Sequence, residues 1–285
     1  MSLNIAPRRF GLLVAIAISL ACAPSRALAQ WLKYPTADVP RTADGKPNLG
    51  APSPRLADGR PDFSGIWINA VHPPCVAGGS DAFVDCALEL PMSLLAINLG
   101  QGTPGGLPYQ PWAAALVKQR TADLNKDDPH ARCLPDNPPR PFGLPHLTKV
   151  VHTPRLLVLL NEVNAMYRQI FTDGRPLPVD PTPSWNGYSS GAWEGDTLVV
   201  HTIGFRDDLW LDMAGSPMTN EAKMTERFRR PRFGTLEVQI TVDDPKAYTR
   251  PWTVSMNQEI RLDTELMDEF CLENEKSSQR MRGAK

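Results

Sequence analysis

Hydrophobic and polar residues alternate along much of the second half of the chain, as in β-strands that have one buried face and one solvent-exposed face. Between Leu236 and Val242, Leu, Val, Ile and Val alternate strictly with Glu, Gln and Thr. Residues 188–205 predict a hairpin: Trp193 ends one strand, Glu-Gly-Asp at 194–196 makes a tight turn, and a second strand spans 198–203.

Other segments extend this pattern into a series of strands. Strands are predicted at residues 63–67, 149–153, 156–162, 165–172, 218–230, 235–242 and 252–262. Sequential strands with short turns favour an antiparallel meander, and about eight of them tend to close into a barrel able to hold one small ligand. We therefore expect a mainly β, lipocalin-like barrel with an extended N-terminal arm and one short helix. That helix is predicted at 112–125, where Pro111 precedes Trp112, Leu116 and Leu124 at helical spacing.

The N-terminus has the pattern of an export signal. Arg8 and Arg9 precede an apolar run at 10–23, and Ala-Leu-Ala at 27–29 is a small-residue cleavage site. We expect a signal peptide at 1–29 and a periplasmic or secreted mature chain. Cys22 raises the alternative of a lipoprotein, which is less favoured because Ser occupies the lipobox position of Leu. No later apolar run approaches the ~20 residues of a membrane span, so no transmembrane segment is expected in the mature chain.

The mature chain divides by composition into an arm and one domain. Residues 30–62 are Pro-rich and contain an imperfect repeat, Ala-Asp-Gly-Lys-Pro at 43–47 and Ala-Asp-Gly-Arg-Pro at 57–61, which predicts two turns within an extended surface arm. Residues 63–285 are predicted to form a single β-barrel domain. An irregular insertion at 70–146 interrupts it, and its first part is expected to cover the barrel mouth.

Four cysteines remain once the signal is removed, which in an oxidising compartment suggests two disulfides. Three pairings are open; we favour Cys75–Cys86 as a short loop and Cys133–Cys271 as a tie for the C-terminal tail. No Cys-x-x-C spacing occurs, so neither thioredoxin-like nor zinc-knuckle chemistry is expected.

Charge and motifs exclude several classes of function. The mature chain has 27 basic and 31 acidic side chains, so we expect no nucleic-acid partner. It lacks Gly-x-Gly-x-x-Gly, a P-loop, a Gly-x-Ser-x-Gly elbow and the His-x-His and His-Glu-x-x-His metal motifs. We expect no cofactor and no metal.

Strand parity identifies two charged side chains that point inward. Glu226 shares its face with Met224 and Phe228, and Arg168 shares its face with Met166 and Ile170. A lone buried charge costs several kcal/mol, so the two are expected to pair in one interior. The pair could be structural, or it could bind a polar ligand group or orient a general base.

Histidines and aromatic residues complete the candidate site. His146 lies in a loop that enters the sheet and is, with Glu226, a catalytic candidate. His152 and His201 lie on predicted strands and are candidate ligand-binding residues or half-buried structural histidines. The candidate aromatic ligand-binding residues, with core packing as the alternative, are Trp185, Tyr188 and Trp193.

Several motifs resemble a large family of exported bacterial proteins that has no agreed activity. They are Asp-Gly-Arg-Pro-Asp-Phe-Ser-Gly-Ile-Trp at 58–67, Arg-Gln-Ile-Phe-Thr-Asp-Gly-Arg at 168–175, Trp-Glu-Gly-Asp-Thr-Leu-Val-Val at 193–200 and Thr-Glu-Arg-Phe at 225–228. The resemblance covers most of the mature chain, and the hairpin is also similar to those of lipocalin-like barrels. The family usually has Asp at the position of His201, which counts against an obligatory catalytic role for that residue.

Three hypotheses follow. The first is an exported barrel that binds a small, mostly apolar or aromatic ligand, with Arg168 and Glu226 as polar anchors. The second is a cofactor-free periplasmic isomerase, lyase or hydrolase, in which Glu226 or His146 moves a proton and Arg168 stabilises negative charge. The third is an accessory subunit whose arm, residues 30–62, docks on a protein partner by strand addition.

Overall fold

Nine strands close into a barrel in the computed structural model, which describes residues 34–70 and 94–273. The strands of the described ranges are β1 (Gly65–Asn69), β2 (Thr148–Thr153), β3 (Leu156–Asn161), β4 (Tyr167–Phe171), β5 (Tyr188–Glu194), β6 (Thr197–Ile203), β7 (Leu209–Trp210), β8 (Pro217–Met218), β9 (Lys223–Arg232), β10 (Thr235–Asp243), β11 (Trp252–Ser255) and β12 (Gln258–Arg261). Around the barrel the order is β1-β2-β3-β4-β5-β6-β9-β10-β12, and β12 pairs again with β1. The predicted mainly β barrel is confirmed.

Two features of the strand order differ from a simple meander. Strands β4 and β5 run parallel and share only two register pairs, Ile170 with Ser189 and Phe171 with Ser190, because the Pro-rich segment between them carries the chain back to the same end. The last predicted strand is broken at 256–257. Its first half, β11, pairs with β10, and its second half, β12, closes the barrel between β10 and β1.

Two α-helices occur in the described ranges, α1 (Leu94–Ile97) and α2 (Pro111–Ala122). Helix α2 ends before residue 125 because Leu124 and Asn125 adopt left-handed backbone angles, φ 56° and 51°. Its buried side chain is Ala113, whereas Trp112 and Leu124 are exposed. The apolar spacing that predicted the helix therefore does not mark a core-facing side.

The barrel interior is filled by side chains from the strands and from the insertion. Alternate residues of β10, such as Val238 and Ile240, pack in one cluster with Phe228 of β9. Leu99 and Phe142, which belong to the insertion, join the same cluster. The described part of the insertion therefore closes the barrel interior instead of only covering its mouth.

The arm lies against the turn end of the barrel. Its two repeats form matching loops, since Asn48 N donates to Pro40 O at 2.7 Å and Asp62 N donates to Pro54 O at 2.8 Å. In the second loop, the guanidinium of Arg55 donates hydrogen bonds to both carboxylate oxygens of Asp196, at 2.9 and 2.6 Å. The arm thus binds its own barrel, and docking on another protein stays a prediction.

The C-terminal tail is tied back by the Cys133–Cys271 disulfide, whose pairing is confirmed; its Cα atoms lie 5.3 Å apart. Cys22, Cys75, Cys86 and the predicted signal peptide at 1–29 lie outside the described residues. Within residues 34–70 and 94–273, no helix is long and apolar enough to cross a membrane.

Candidate functional site

Arg168 and Glu226 meet inside the barrel. Arg168 projects inward from β4 and is 5% exposed, and Glu226 projects inward from β9 and is 0% exposed. Nη1 of Arg168 donates to Oε1 of Glu226 at 2.8 Å, and Nη2 donates to Oε2. This bidentate geometry is the strong form of the arginine–carboxylate contact.

Two hydroxyl groups complete the network around the guanidinium. Arg168 Nε donates to Ser189 Oγ at 3.3 Å, and Nη2 lies 3.1 Å from Ser189 Oγ and 3.0 Å from Thr202 Oγ1. Ser189 and Thr202 stand opposite each other on β5 and β6, and their hydroxyls are 3.0 Å apart. Sequence reasoning missed both residues, although the hairpin turn fixes their register.

The barrel wall opens beside this network, at the parallel pair of β4 and β5. Because the pairing covers only two positions, the start of β4 separates from the chain that precedes β5, and a cleft of about 550 Å³ lies between them. Tyr167, Phe171, Trp185 and Tyr188 supply its aromatic lining, and Arg168 and Ser189 also line it. We call this the wall cleft.

Two details hold the wall cleft in shape. Asn186 Nδ2 donates to Tyr167 O at 3.0 Å and so bridges the separated strands. Gly187 has φ 62°, and a Cβ there would lie 2.7 Å from Ile203 O. Only glycine fits that position without strain.

Inside the barrel, the space next to the ion pair is small. A void of about 20 Å³ is lined by Arg168, Asn161 and Asn186, together with Phe142 and its neighbouring prolines. That volume holds about one water molecule. Of these two spaces that Arg168 lines, the wall cleft is the one with room for a larger molecule.

His152 and Trp193 belong to a different cluster. His152 stacks on Phe63 at 5.4 Å and on Trp193 at 5.9 Å, and its Nδ1 accepts from Phe63 N at 3.2 Å. Burial raises the pKa of the neighbouring Asp62, but the contact with His152 and hydrogen bonds from Ser64 outweigh that effect and lower the pKa to about 2. These contacts place His152 and Trp193 in packing under the arm, not in the wall cleft.

The other two candidate histidines also lie apart from the ion pair. His201 is exposed on the outer surface of β6, where its Nδ1 is 3.1 Å from Thr225 Oγ1. His146 Nδ1 lies 3.1 Å from a carboxylate oxygen of Glu269 in the C-terminal tail. Burial lowers the pKa of His146, and Glu269 opposes that effect. The two catalytic candidates, Glu226 and His146, thus occupy separate networks.

A buried charge network that sequence reasoning missed lies next to the disulfide. Arg140 holds both carboxylate oxygens of Asp128 at 2.7 Å, and its Nε lies 3.2 Å from Asp136. His130 Nδ1 is 2.8 Å from the other oxygen of Asp136. Burial lowers the pKa of His130, but the Asp136 contact outweighs it, so the pKa is raised. The dense spacing of these charges between 128 and 140 was the available signal.

A cofactor or metal has no evident set of ligands in residues 34–70 and 94–273, where no three His, Cys, Asp or Glu side chains converge. Comparison of the chain with models of protein families, with characterised proteins and with solved structures finds no match. The resemblance of the hairpin motif to exported bacterial proteins therefore stays a prediction.

Proposed function

We propose that this protein is an exported binding protein for a small, mostly apolar or aromatic molecule, which occupies the wall cleft. The observation that carries the proposal is the gap in the barrel wall, where the parallel β4–β5 pair leaves Arg168 and Ser189 at an aromatic-lined cleft. Its volume of about 550 Å³ lies within the range of small-molecule sites, and a few polar groups in an apolar lining are typical of them.

The hydrogen-bonding capacity of Arg168 indicates what the polar part of the ligand would be. A guanidinium has five N–H donors. Glu226 accepts one N–H from Nη1 and one from Nη2. Ser189 accepts the N–H of Nε, and Thr202 accepts the second N–H of Nη2. The second N–H of Nη1 has no partner among the described residues. Since Glu226 already balances the charge, a neutral acceptor such as a carbonyl or ether oxygen suits this donor better than an anion does.

The second hypothesis, an acid–base enzyme, is less well supported. Glu226 is 0% exposed, and both of its oxygens are held by Arg168. It lines neither the wall cleft nor the small void behind it. A general base must come within hydrogen-bond reach of the proton that it removes. Glu226 therefore fits a role in holding Arg168 better than one in proton transfer.

Export is supported by the disulfide as well as by the N-terminal sequence. Disulfides persist in oxidising compartments such as the periplasm and the extracellular space. Cys133–Cys271 closes a loop of 138 positions in sequence.

The test is binding of N-phenyl-1-naphthylamine, a neutral aromatic fluorophore, to the purified mature chain. We expect saturable fluorescence enhancement, and about tenfold weaker binding for Trp185→Ala, because about 1.5 kcal/mol of apolar contact is removed. Trp112→Ala is the matched control, since Trp112 is a half-exposed tryptophan on α2 and does not line the wall cleft. Non-saturable binding, or equal losses in both variants, would refute the proposal.

A further inference from the structure

A second cleft lies on the other side of Trp185. It has a volume of about 500 Å³ and lies between the C-terminal half of α2, the turn that follows it, and the chain from 206 to 210. Trp185 lines both clefts, whereas Arg168 lines only the wall cleft. The second cleft therefore adjoins the wall cleft at Trp185 but is lined by different polar groups.

Arg120 in this cleft is a half-buried cation with few contacts. Its guanidinium stacks over Trp210 at 4.1 Å, and its Nη1 donates to Gly215 O at 2.7 Å. Burial lowers its pKa, which Asp208 partly offsets. No carboxylate within residues 34–70 and 94–273 comes within ion-pair distance of it.

Buried arginines elsewhere in the described ranges make more side-chain hydrogen bonds than Arg120 does. Arg168 and Arg140 each hold a carboxylate with two hydrogen bonds. Arg230 has no carboxylate partner, but it makes four hydrogen bonds to the carbonyl oxygens of Asp62, Ser64 and Phe233. Arg120, by contrast, makes one hydrogen bond, which leaves most of its donors available to a ligand.

Arg206 supplies a second guanidinium in the same cleft, on an exposed side chain. It stacks over Trp185 at 4.4 Å, and its side chain makes no hydrogen bond or ion pair within the described ranges. Stacking holds both guanidinium planes in place, so little side-chain freedom would be lost when an anion binds. A planar carboxylate matches such a fork with two parallel hydrogen bonds.

Carboxylates on the cleft lining indicate the rest of the ligand. Asp123, Asp127 and Asp208 line the cleft together with Lys126 and Arg132. Asp127 is 4.0 Å from Arg132, at the limit of an ion pair, while Asp123 and Asp208 make no ion pair among the described residues. Ionised carboxylates accept hydrogen bonds and donate none. They therefore suit hydroxyl groups on the ligand and disfavour a dense polyanion.

We propose that the second cleft binds a small hydroxylated carboxylate, of the class of sugar acids, with its carboxylate between Arg120 and Arg206 and its hydroxyls on the aspartates. The proposed site shares Trp185 with the wall cleft but uses different polar side chains.

The test is calorimetric titration of the mature chain at constant ionic strength with D-galacturonate, D-glucose, hexanoate and inorganic phosphate. We expect saturable binding of galacturonate, and at least tenfold weaker binding of glucose, which lacks the carboxylate, and of hexanoate, which lacks the hydroxyls. Phosphate that binds as tightly as galacturonate would show recognition of charge alone and overturn the proposal, as would the absence of saturable galacturonate binding.

Two variants that each remove one positive charge locate the site. Arg206→Gln should weaken galacturonate binding at least tenfold. Arg155→Gln should change it less than twofold, because the Arg155 side chain is 80% exposed and lies on the turn between β2 and β3. Equal effects of the two variants would indicate non-specific charge attraction and overturn the assignment. Binding of N-phenyl-1-naphthylamine by Arg206→Gln tests the wall cleft separately.

Discussion

Replacing Glu226 with Gln should destabilise the barrel strongly, because it leaves the Arg168 charge buried without its counterion. The side chain keeps its volume, and the amide oxygen of Gln still accepts one N–H, so no cavity forms. Breaking a buried ion pair by removing one partner costs about 3–5 kcal/mol. We expect about 3 kcal/mol, the lower end of that range, because Ser189 and Thr202 continue to accept from Arg168.

Urea unfolding measured by tryptophan fluorescence is the assay. With a slope of about 3 kcal/mol per M for a chain of this size, the midpoint should fall by about 1 M. Glu194→Gln is the control: Glu194 pairs with Arg227 at 2.9 Å, next in sequence to Glu226, but the two side chains are 61% and 41% exposed. Such surface pairs contribute about 0.5 kcal/mol or less.

A double replacement tests whether the uncompensated charge, and not the loss of the ion pair itself, causes the destabilisation. Arg168→Met combined with Glu226→Leu removes both charges and fills the space with apolar side chains, a change that is often neutral for a buried pair. Ser189 and Thr202 can still hydrogen-bond to each other. The double variant should therefore be more stable than Glu226→Gln. If Glu226→Gln behaves like Glu194→Gln, or if the double variant is the least stable, the uncompensated buried charge is not the dominant effect.

Two further predictions concern titration and backbone conformation. Folding raises the pKa of His130, so its stabilising contribution is full below the unfolded value of about 6.5 and is lost as the pH rises through the folded value. The stability difference between wild type and His130→Gln, from urea unfolding, should thus be larger at pH 5.5 than at pH 8.5; an equal difference would contradict this. Gly187→Ala should lower the melting temperature more than Gly174→Ala does. Both glycines have positive φ, so alanine is strained at either position. A Cβ at 187 would also clash with Ile203 O at 2.7 Å, whereas a Cβ at 174 meets nothing within 4 Å. Equal losses of melting temperature would show that backbone strain alone, without the clash at 187, accounts for the destabilisation.

The closed interior explains why the proposed site lies in the wall. A lipocalin-like barrel was expected to hold its ligand in the middle, but Leu99 and Phe142 of the insertion pack into the barrel core. The space left beside Arg168 is about 20 Å³. The short parallel pair of β4 and β5 provides a cleft in the wall instead, and two residues of the buried polar network, Arg168 and Ser189, line it.

Strand periodicity and turn residues are enough to predict which side chains face inward and where the chain turns. Side chains alternate along a strand with a period of two, so Met224 and Phe228 place Glu226 on the buried face, and the Gly195 turn sets the pairing of β5 with β6. Cysteine number and the expected compartment left three pairings open, and the favoured pairing of Cys133 with Cys271 is confirmed by the structure.

Which distant segments meet depends on the packing of the whole barrel. The parallel pairing of β4 with β5, the filling of the barrel by the insertion, and the convergence of His130, Asp136 and Arg140 all depend on how the chain crosses between strands. Local alternation does not encode these contacts, because long proline-rich connections permit several strand neighbours with the same inward-facing residues. Total packing of the core selects among them, and with that choice it closes the interior and opens the wall.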